Sequence, residues 1–424
     1  MNQAAPLRVV VAGQGYVGLP LAMRSVQVGY DVVGLEVSTD RVKRLAAGES
    51  FVEDVPATQV RAALDSGRYQ VSDDPGLCAG FDVAVITVPT PLSEGVPDLS
   101  CISSAAEMLA PSLTPGALVV LESTTYPGTT QALLVPALEA GSRLVAGTDF
   151  LVGYSPERID PGNREWTLTT TPKIVSGIDE ASAKATEAFY QSIVDHTVLV
   201  STPAAAEMAK LLENTFRHVN IALVNELAMY AADLGIDVWE AIDAASTKPF
   251  GFMRFTPGAG VGGHCLPIDP SYLSWTVRQR LGRSFRFVEL ANDVNEHMPD
   301  YVASRIAAAL NRRGQAVSRS KILVLGLAYK RNSSDARESP SVALLERLVQ
   351  EGADVSVADP HVVETRPISP DIRRVDADLA EVRRADLVVL VTDHDAFDYE
   401  LIASQAGWVL DTRHRMRGPR VEYL

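Results

Sequence analysis

The sequence predicts an α/β protein with two Rossmann-like, doubly wound domains joined by a long central helix and a helical middle domain. Short β-branched runs alternate with stretches of helical length from Arg8 onward, and the same alternation resumes near Lys321. A long, uninterrupted helical pattern separates the two regions. Continuous apolar runs without period-two alternation suit parallel strands buried on both faces.

The first sheet is read from RVVVAG, DVVGLE, FDVAVITVP, GALVVLES, DFLVGYSPE and HTVLVS. The pattern changes at Thr202-Pro203. From Ala204 to about Leu234, residues Met208, Leu211, Leu212, Thr215, Phe216, Val219 and Leu223 recur at helical spacing, and Pro203 suits a first helical turn. A helix of about 45 Å is better suited to bridging domains than to lying within one. A glycine-rich loop at 257–263 and further helix to about Arg313 follow. Strands return as KILVLGLAY, ADVSVADP, ADLVVLVTD and WVLDTR. The domains expected are 1–202, 203–316 and 317–424, in agreement with a prior of about 150 residues per domain.

Composition narrows the classes. With 46% hydrophobic and 21% charged residues among 424, the chain has ample core for a globular protein. A net charge of −15 excludes the broad basic face that nucleic acid requires, so any bound phosphate must be met by local cations. No apolar run approaches the roughly 20 residues of a membrane span, and the opening MNQAAPLRVVVAG lacks the pattern of a signal peptide. A cytoplasmic protein with no membrane partner is expected. The three cysteines, Cys78, Cys101 and Cys265, include no C-x-x-C pair, so neither disulfides nor a metal site is expected. Cys78 and Cys101 read as inert core residues.

Val9 to Ala12 form a strand that runs into Gly13-Gln14-Gly15-Tyr16-Val17-Gly18 and a helix from Leu19 to Val28. In such a loop the first glycine permits the turn, the second admits a pyrophosphate, and the third lets the helix pack on the strand. The next strand ends at Glu36, 18 residues beyond Gly18, where an acid binds ribose hydroxyls. An acid there repels a 2′-phosphate, which selects NAD over NADP, and Arg41 flanks the adenosine side.

The densest chemistry is Phe255-Thr-Pro-Gly-Ala-Gly-Val-Gly-Gly-His-Cys-Leu-Pro-Ile-Asp269. Its glycines let backbone close on a ligand around Cys265, and His264 beside the thiol is either a thiolate partner or a plain loop residue. Lys210 and Asn214 share a face of the long helix, with Glu207 alongside; on spacing alone such a face is solvated. Glu157, in Tyr154-Ser-Pro-Glu-Arg158, follows a strand end, where α/β sheets place ligand groups.

In order along nearly the whole chain, these segments resemble the UDP-glucose/GDP-mannose dehydrogenase family. The matching motifs are G-Q-G-Y-V-G, V-P-T-P at Val88–Pro91, E-S-T at Glu122–Thr124, Y-S-P-E-R, Lys210 with Asn214, G-V-G-G-H-C-L-P-I-D, Ala328-Tyr-Lys330 with Asp335, Arg337 and Ser339-Pro340, and D-T-R at Asp411–Arg413. Thr247-Lys-Pro-Phe-Gly-Phe252 and the segment following Gly262 look most like the UDP-N-acetylglucosamine 6-dehydrogenase branch.

The resemblance implies a four-electron oxidation of a nucleotide sugar at C6, from hydroxymethyl to carboxylate, with two NAD+ reduced. Cys265 would form a thiohemiacetal and then a thioester. Asp269 would help remove the hydroxyl proton, Lys210 and Asn214 would hold the oxyanion, and Thr124 and Glu157 would position water and do acid-base work. On the NAD side stand the glycine loop with Tyr16 and Val17, Glu36, Arg41, Thr90, Thr124 and Arg337. On the sugar-nucleotide side stand Glu157, Arg158, Lys210, Asn214, Phe255, Gly263, Lys330 and Arg413. A homodimer formed through the helical middle is also implied.

Arg254, Ala259 and His414 depart from the branch pattern beside the substrate loop, which leaves the sugar and the base open. A UDP-hexose or UDP-N-acetylhexosamine is the first expectation, and a glucose nucleotide with UDP or dTDP is the second. A two-electron hydroxyacid or polyol dehydrogenase, and a silent nucleotide-sugar sensor, are the alternatives from other classes.

Overall fold

The computed structural model describes residues 6–93, 95–160, 163, 165–263, 265–362 and 368–424, the side chain of Cys265 excepted. The chain divides into two compact units, Met1–Glu213 and Asn214–Leu424. This division falls inside the long helix rather than at its start.

The first unit is a sheet of eight strands: β1 (Arg8–Ala12), β2 (Asp31–Leu35), β3 (Tyr69–Ser72), β4 (Val83–Ile86), β5 (Leu118–Leu121), β6 (Leu151–Tyr154), β7 (Lys173–Gly177) and β8 (Thr197–Leu199). Their order is β8-β7-β6-β5-β4-β1-β2-β3. Neighbours are parallel, with Val9 opposite Val32 on one side and Val83 on the other, except where β7 runs antiparallel to β6. Val10, Val11, Val85, Val119 and Val120 are fully buried, so helices cover both faces, as the continuous apolar runs require. Two strands of this sheet escape the sequence reading. Strand β3, Tyr-Gln-Val-Ser, has no continuous apolar run, and β7 opens on a charged residue, Lys173, that is nevertheless buried.

The second unit carries the helices Val238–Ser246, Cys265–Leu281, Arg286–Glu296 and Met298–Asn311, followed by a second sheet. Its strands are β9 (Lys321–Leu325), β10 (Asp354–Ala358), β11 (Arg373–Arg374), β12 (Leu387–Leu390), β13 (Val409–Asp411) and β14 (Val421–Tyr423). All pair in parallel in the order β11-β10-β9-β12-β13-β14. That is the order of β3-β2-β1-β4-β5-β6 in the first unit, so the doubly wound topology occurs twice. Met298, Val302, Ile306 and Leu310 pack with Leu344, Leu345 and Leu348 over Ile322, Val324 and Leu387. Each such aliphatic side chain contributes about 1.5–3 kcal/mol on burial.

The long helix spans Pro203–Leu234, 32 residues, with proline in its first turn. One face is buried through Ala206, Glu207, Lys210, Leu211, Asn214, His218, Ala222, Asn225 and Ala228. The solvated face assumed for Lys210 and Asn214 on spacing alone is therefore the covered one. Met208, Leu212, Phe216, Leu223, Leu227, Tyr230 and Leu234 form a second, exposed apolar stripe. Among the described residues, no helix is long and apolar enough to cross a membrane.

Candidate active site

In the first unit, the loops that follow β1, β2, β4, β5 and β6 hold most of the expected residues, at the carboxyl edge of parallel strands where such folds bind ligands. Gly13 leaves β1 with φ of +93°, a backbone conformation that favours glycine. A Cβ on Gly18 would lie 1.9 Å from the Gly13 carbonyl oxygen, so the helix Gly18–Gln27 can approach β1 only with glycine there. A Cβ on Gly15 would meet nothing within 4 Å, which leaves that position open for a ligand.

No side chain caps the helix at Val17, so its first amides are not satisfied by a capping group and suit a pyrophosphate. Glu36, 5% exposed at the end of β2, accepts hydrogen bonds from the amides of Gln14 (3.1 Å) and Ser38 (3.0 Å). Arg41 stands 3.6 Å from it. The two residues expected at the adenosine end are thus adjacent, and the donors and openings present fit a dinucleotide. Tyr16 is exposed, and Thr90 is buried in the loop after β4.

The loops after β4, β5 and β6 are tied together. Ser123 donates its hydroxyl to the Val88 carbonyl oxygen at 2.7 Å, joining the E-S-T segment to V-P-T-P. Thr124 is half-buried beside it. The stretch just after E-S-T is fastened to the long helix by Glu207, a fully buried carboxylate. Glu207 accepts from the amides of Gly128 (2.5 Å) and Thr130 (2.9 Å), and from the Thr130 hydroxyl (2.7 Å). Burial raises the Glu207 carboxyl above its ordinary range, against the opposing pull of these donors. Lys210, 8% exposed, lies one turn further along the same helix.

Glu157 is held at both oxygens. Its Oε1 accepts from the amides of Arg158 and Ile159, each at 2.5 Å, and its Oε2 lies 3.3 Å from the ammonium of Lys173. Arg158 pairs with Glu213 at 2.8 Å and donates to the Pro172 carbonyl oxygen at 2.6 Å. Lys173 also pairs with Glu122 at 2.9 Å, and Tyr190 donates to that carboxylate. This buried cluster was missed from the sequence, although a lysine opening an otherwise apolar strand is unusual enough to signal it.

In the second unit, Asn214 donates to Asp269 Oδ2 at 2.5 Å, and both residues are buried. Asp269 belongs to the helix Cys265–Leu281, whose first residue is Cys265. Cys265 and Asp269 are four residues apart, about one turn of that helix. The Cys265 side chain and His264 lie outside the described residues. Gly263, with φ of +86°, donates its amide to the Arg337 carbonyl oxygen at 3.0 Å, and a Cβ there would lie 2.7 Å from the ring of Tyr329. Glycine is what lets the cysteine loop lie against the segment bearing Lys330 and Arg337. The Arg337 guanidinium makes a two-pronged pair with Asp335.

Arg413 follows β13 directly. Asp411, fully buried, accepts from the amides of Arg413 (2.8 Å), Arg415 (2.6 Å) and Met416 (2.7 Å), and so folds the loop that presents Arg413, His414 and Arg415. These three line a cavity of about 290 Å³ with Arg254, Trp239, Thr256 and Asp393. Three guanidiniums line this cavity, Arg254 paired with Asp243 and both Arg413 and Arg415 beside Asp393, and their planar donors suit a diphosphate. His414 stacks on Trp239 at 5.1 Å between ring centroids and meets Tyr423 edge-on at 4.5 Å. Of the three departures from the branch pattern, Arg254 and His414 line this cavity. Ala259 instead packs in the hydrophobic core of the second unit. Phe255 packs edge-on against Phe216 at 5.8 Å, and Gly258 leaves room for Arg413, whose guanidinium would lie 2.7 Å from a Cβ there.

Comparison with known proteins matches three stretches of the chain. Residues 7–194 match the NAD-binding domain of the UDP-glucose/GDP-mannose dehydrogenase family, 204–297 its central domain and 323–417 its UDP-binding domain. A UDP-N-acetyl-D-mannosamine dehydrogenase of Pyrococcus horikoshii is 36% identical, over 99% of this chain and 98% of its own length. A UDP-N-acetyl-D-glucosamine 6-dehydrogenase of Pseudomonas aeruginosa is 37% identical, over 84% and 83%. Among solved structures, a UDP-D-ManNAc dehydrogenase from Pyrococcus horikoshii superposes with a TM-score of 0.88 at 35% identity, covering 99% of this chain and 98% of that one. A UDP-glucose dehydrogenase from Pyrobaculum islandicum gives 0.88 at 27% identity, covering 100% and 98%. With all three domains present in order, this chain belongs to the UDP-glucose/GDP-mannose dehydrogenase family of NAD-dependent oxidoreductases.

Proposed function

We propose that the chain oxidises the C6 hydroxymethyl of a nucleotide sugar to a carboxylate in two successive two-electron steps through a covalent bond to Cys265. The observation that carries this reading is the buried Asp269, anchored by Asn214 at 2.5 Å, one helical turn from the cysteine that opens the same helix. A helix N-terminus favours a thiolate, and a fixed carboxylate nearby is suited to proton transfer.

NAD+, when bound, supplies the hydride acceptor for both oxidations. The chain's own residues then do the rest. Asp269 takes up the hydroxyl proton, directly or through a water, while Lys210 and Asn214 stabilise the developing oxyanion. The Cys265 thiolate adds to the resulting aldehyde to give a thiohemiacetal, whose oxidation leaves a thioester. Thr124 and Glu157 position the water that hydrolyses it. Glu36 with Arg41 holds the adenosine ribose, Gly13, Gly15 and Gly18 with Tyr16 and Val17 receive the pyrophosphate, and Thr90, Thr124 and Arg337 complete the dinucleotide contacts. Arg158, Phe255, Gly263, Lys330 and Arg413 hold the sugar nucleotide.

A UDP-N-acetylhexosamine is the substrate class favoured by the relatives' names, which include dehydrogenases of UDP-N-acetylmannosamine and UDP-N-acetylglucosamine. A glucose nucleotide with UDP or dTDP is the second reading, left open by Arg254 and His414, which depart from the branch pattern in the arginine-lined cavity. Three domains, at 1–202, 203–316 and 317–424, are the division we adopt. The exposed stripe from Met208 to Leu234 suits a second copy of this chain, and we assign the working form as a homodimer. Free Cys78 and Cys101 fit a reducing, cytoplasmic setting.

The deciding experiment scores NADH release from UDP-glucose, UDP-N-acetylglucosamine, UDP-N-acetylmannosamine, GDP-mannose and dTDP-glucose. Two NADH per sugar acid are expected from the true substrate. One NADH per carbonyl product, or full turnover by Cys265→Ser, would establish a two-electron dehydrogenase instead. No NADH from any of them would favour a sensor. Sedimentation as a monomer at working concentration would refute the dimer.

A further inference from the structure

Lys173 opens β7 with its side chain 4% exposed, between two carboxylates on loops that the proposed chemistry uses. Its ammonium lies 2.9 Å from Glu122 Oε1, in the E-S-T segment, and 3.3 Å from Glu157 Oε2, in the Y-S-P-E-R segment. The ring of Tyr190 covers the same ammonium at 5.2 Å, and the Tyr190 hydroxyl donates to Glu122. Stability does not account for such a cluster, because apolar residues of similar size generally serve a core as well as, or better than, buried ions.

The two carboxylates are not equivalent. Glu122 is 1% exposed, and its Oε2 makes no hydrogen bond among the described residues. Burial pushes its carboxyl above the ordinary range, although Lys173 opposes the effect. Glu157 keeps 13% exposure and has both oxygens engaged, one by the amides of Arg158 and Ile159 and the other by Lys173. One cation between two carboxylates leaves an excess negative charge in a buried space. Lys173 pairs with both, at 2.9 Å and 3.3 Å, and so ties the more accessible Glu157 to the enclosed Glu122. For Lys173 itself, burial favours the neutral amine, but the two carboxylates outweigh it and hold the ammonium charged.

We propose that Lys173 is a positioning residue, which holds the Glu157 carboxylate where it takes a proton from the water that cleaves the Cys265 thioester. In that step the water oxygen bonds to the acyl carbon as its proton passes to Glu157. The carbon–sulfur bond then breaks, the electron pair leaves with sulfur as thiolate, and the proton on Glu157 passes to solvent. No oxidant or reductant is consumed. The inference rests on the thioester route and on the role of Glu157 proposed above.

The test uses the full-length chain with NAD+ and whichever of the five nucleotide sugars the unaltered protein oxidises, comparing Lys173→Met, Lys173→Gln, Lys173→Arg and Glu157→Gln. Rapid mixing with Lys173→Met is expected to release two NADH per subunit in a burst. Turnover should then slow on the order of 10- to 100-fold, part of the roughly 10²–10⁴-fold that general-base catalysis supplies. Intact mass should show an acyl adduct on Cys265. Lys173→Arg should restore turnover and clear the adduct, which a lost core contact would not do. Lys173→Gln keeps a hydrogen-bonding side chain without the charge; it should trap the adduct too, and it carries the test if Lys173→Met does not fold.

If Glu157→Gln traps the adduct but Lys173→Gln turns over normally without it, the role of Lys173 is overturned and that of Glu157 stands. If Glu157→Gln itself turns over normally, the role of Glu157 falls, and this inference with it. Loss of the burst in a folded Lys173→Gln protein that still binds NAD+ would also overturn the proposal, because it would place Lys173 in the hydride steps.

Discussion

The Asn214 side-chain amide donates to Asp269 Oδ2 at 2.5 Å, with both residues within 4% of complete burial. Asn214 is one of the groups that hold this enclosed carboxylate in its orientation. Asp269→Asn is expected to lower kcat by about 10²–10⁴-fold, the range attributed to a positioned acid or base. Asn214→Ala should cost less in rate and about 1–3 kcal/mol in stability, since it leaves a buried acceptor short of a partner. Steady-state kinetics and denaturant unfolding of the two variants check the order.

Glu36 joins the glycine loop to the helix start after β2 through the amides of Gln14 and Ser38. Glu36→Ala should raise the KM for NAD+ by roughly 10-fold or more, as loss of a charged hydrogen bond of about 1.5–3 kcal/mol implies. The discrimination against NADP+ should narrow, because the charge that repels a 2′-phosphate has gone. Initial rates with each cofactor decide it.

Glu207 is a buried clamp whose carboxyl is raised by burial. A raised carboxyl favours the protonated folded state, so the stability it contributes is fully present below the ordinary Glu value and is lost as pH rises through the raised one. Unfolding free energies should therefore show Glu207→Gln gaining on the unaltered protein as pH rises. Glu207→Ala should destabilise at every pH, since the donors at Gly128 and Thr130 lose their acceptor.

Asp359 has the opposite sign. Burial alone would push its carboxyl up, but His394 at 3.0 Å and the amides of Ala328 and His361 hold it far below the ordinary range. Its contribution is present above the unfolded value, near pH 4, and is lost as pH falls further. The stability advantage of the unaltered protein over Asp359→Asn should shrink in acid unfolding curves below about pH 4.

Arg413 and Arg254 line one cavity, yet Asp393 lies 3.5 Å from Arg413, and Asp243 pairs with Arg254 at 2.7 Å. Arg413→Ala should raise the KM for the nucleotide sugar by about 10-fold or more, with less effect on kcat, as loss of uniform binding does. Arg254→Pro, which restores the branch pattern, should shift relative kcat/KM among the five sugars. An unchanged ranking would remove Arg254 from specificity.

The amino-acid sequence by itself determined the α/β class, the glycine turn after β1, the acid at the end of β2 and the ordered motifs. These are local features: a strand of Val9, Val10 and Val11 must be buried, and Gly13 must take a positive φ wherever the loop lies. Strands without a continuous apolar run were not legible, and β7 is the instructive case. Lys173 reads as surface because its two carboxylates come from segments 51 and 16 residues away in sequence. Likewise, spacing puts Lys210 and Asn214 on one face of the long helix but does not say whether that face is wet. Only tertiary structure decided that it is covered, that Glu207 anchors the Gly128–Thr130 turn and that Asn214 meets Asp269. The physical reason is that desolvation and pairing depend on which distant groups converge, and a one-dimensional pattern records only neighbours along the chain.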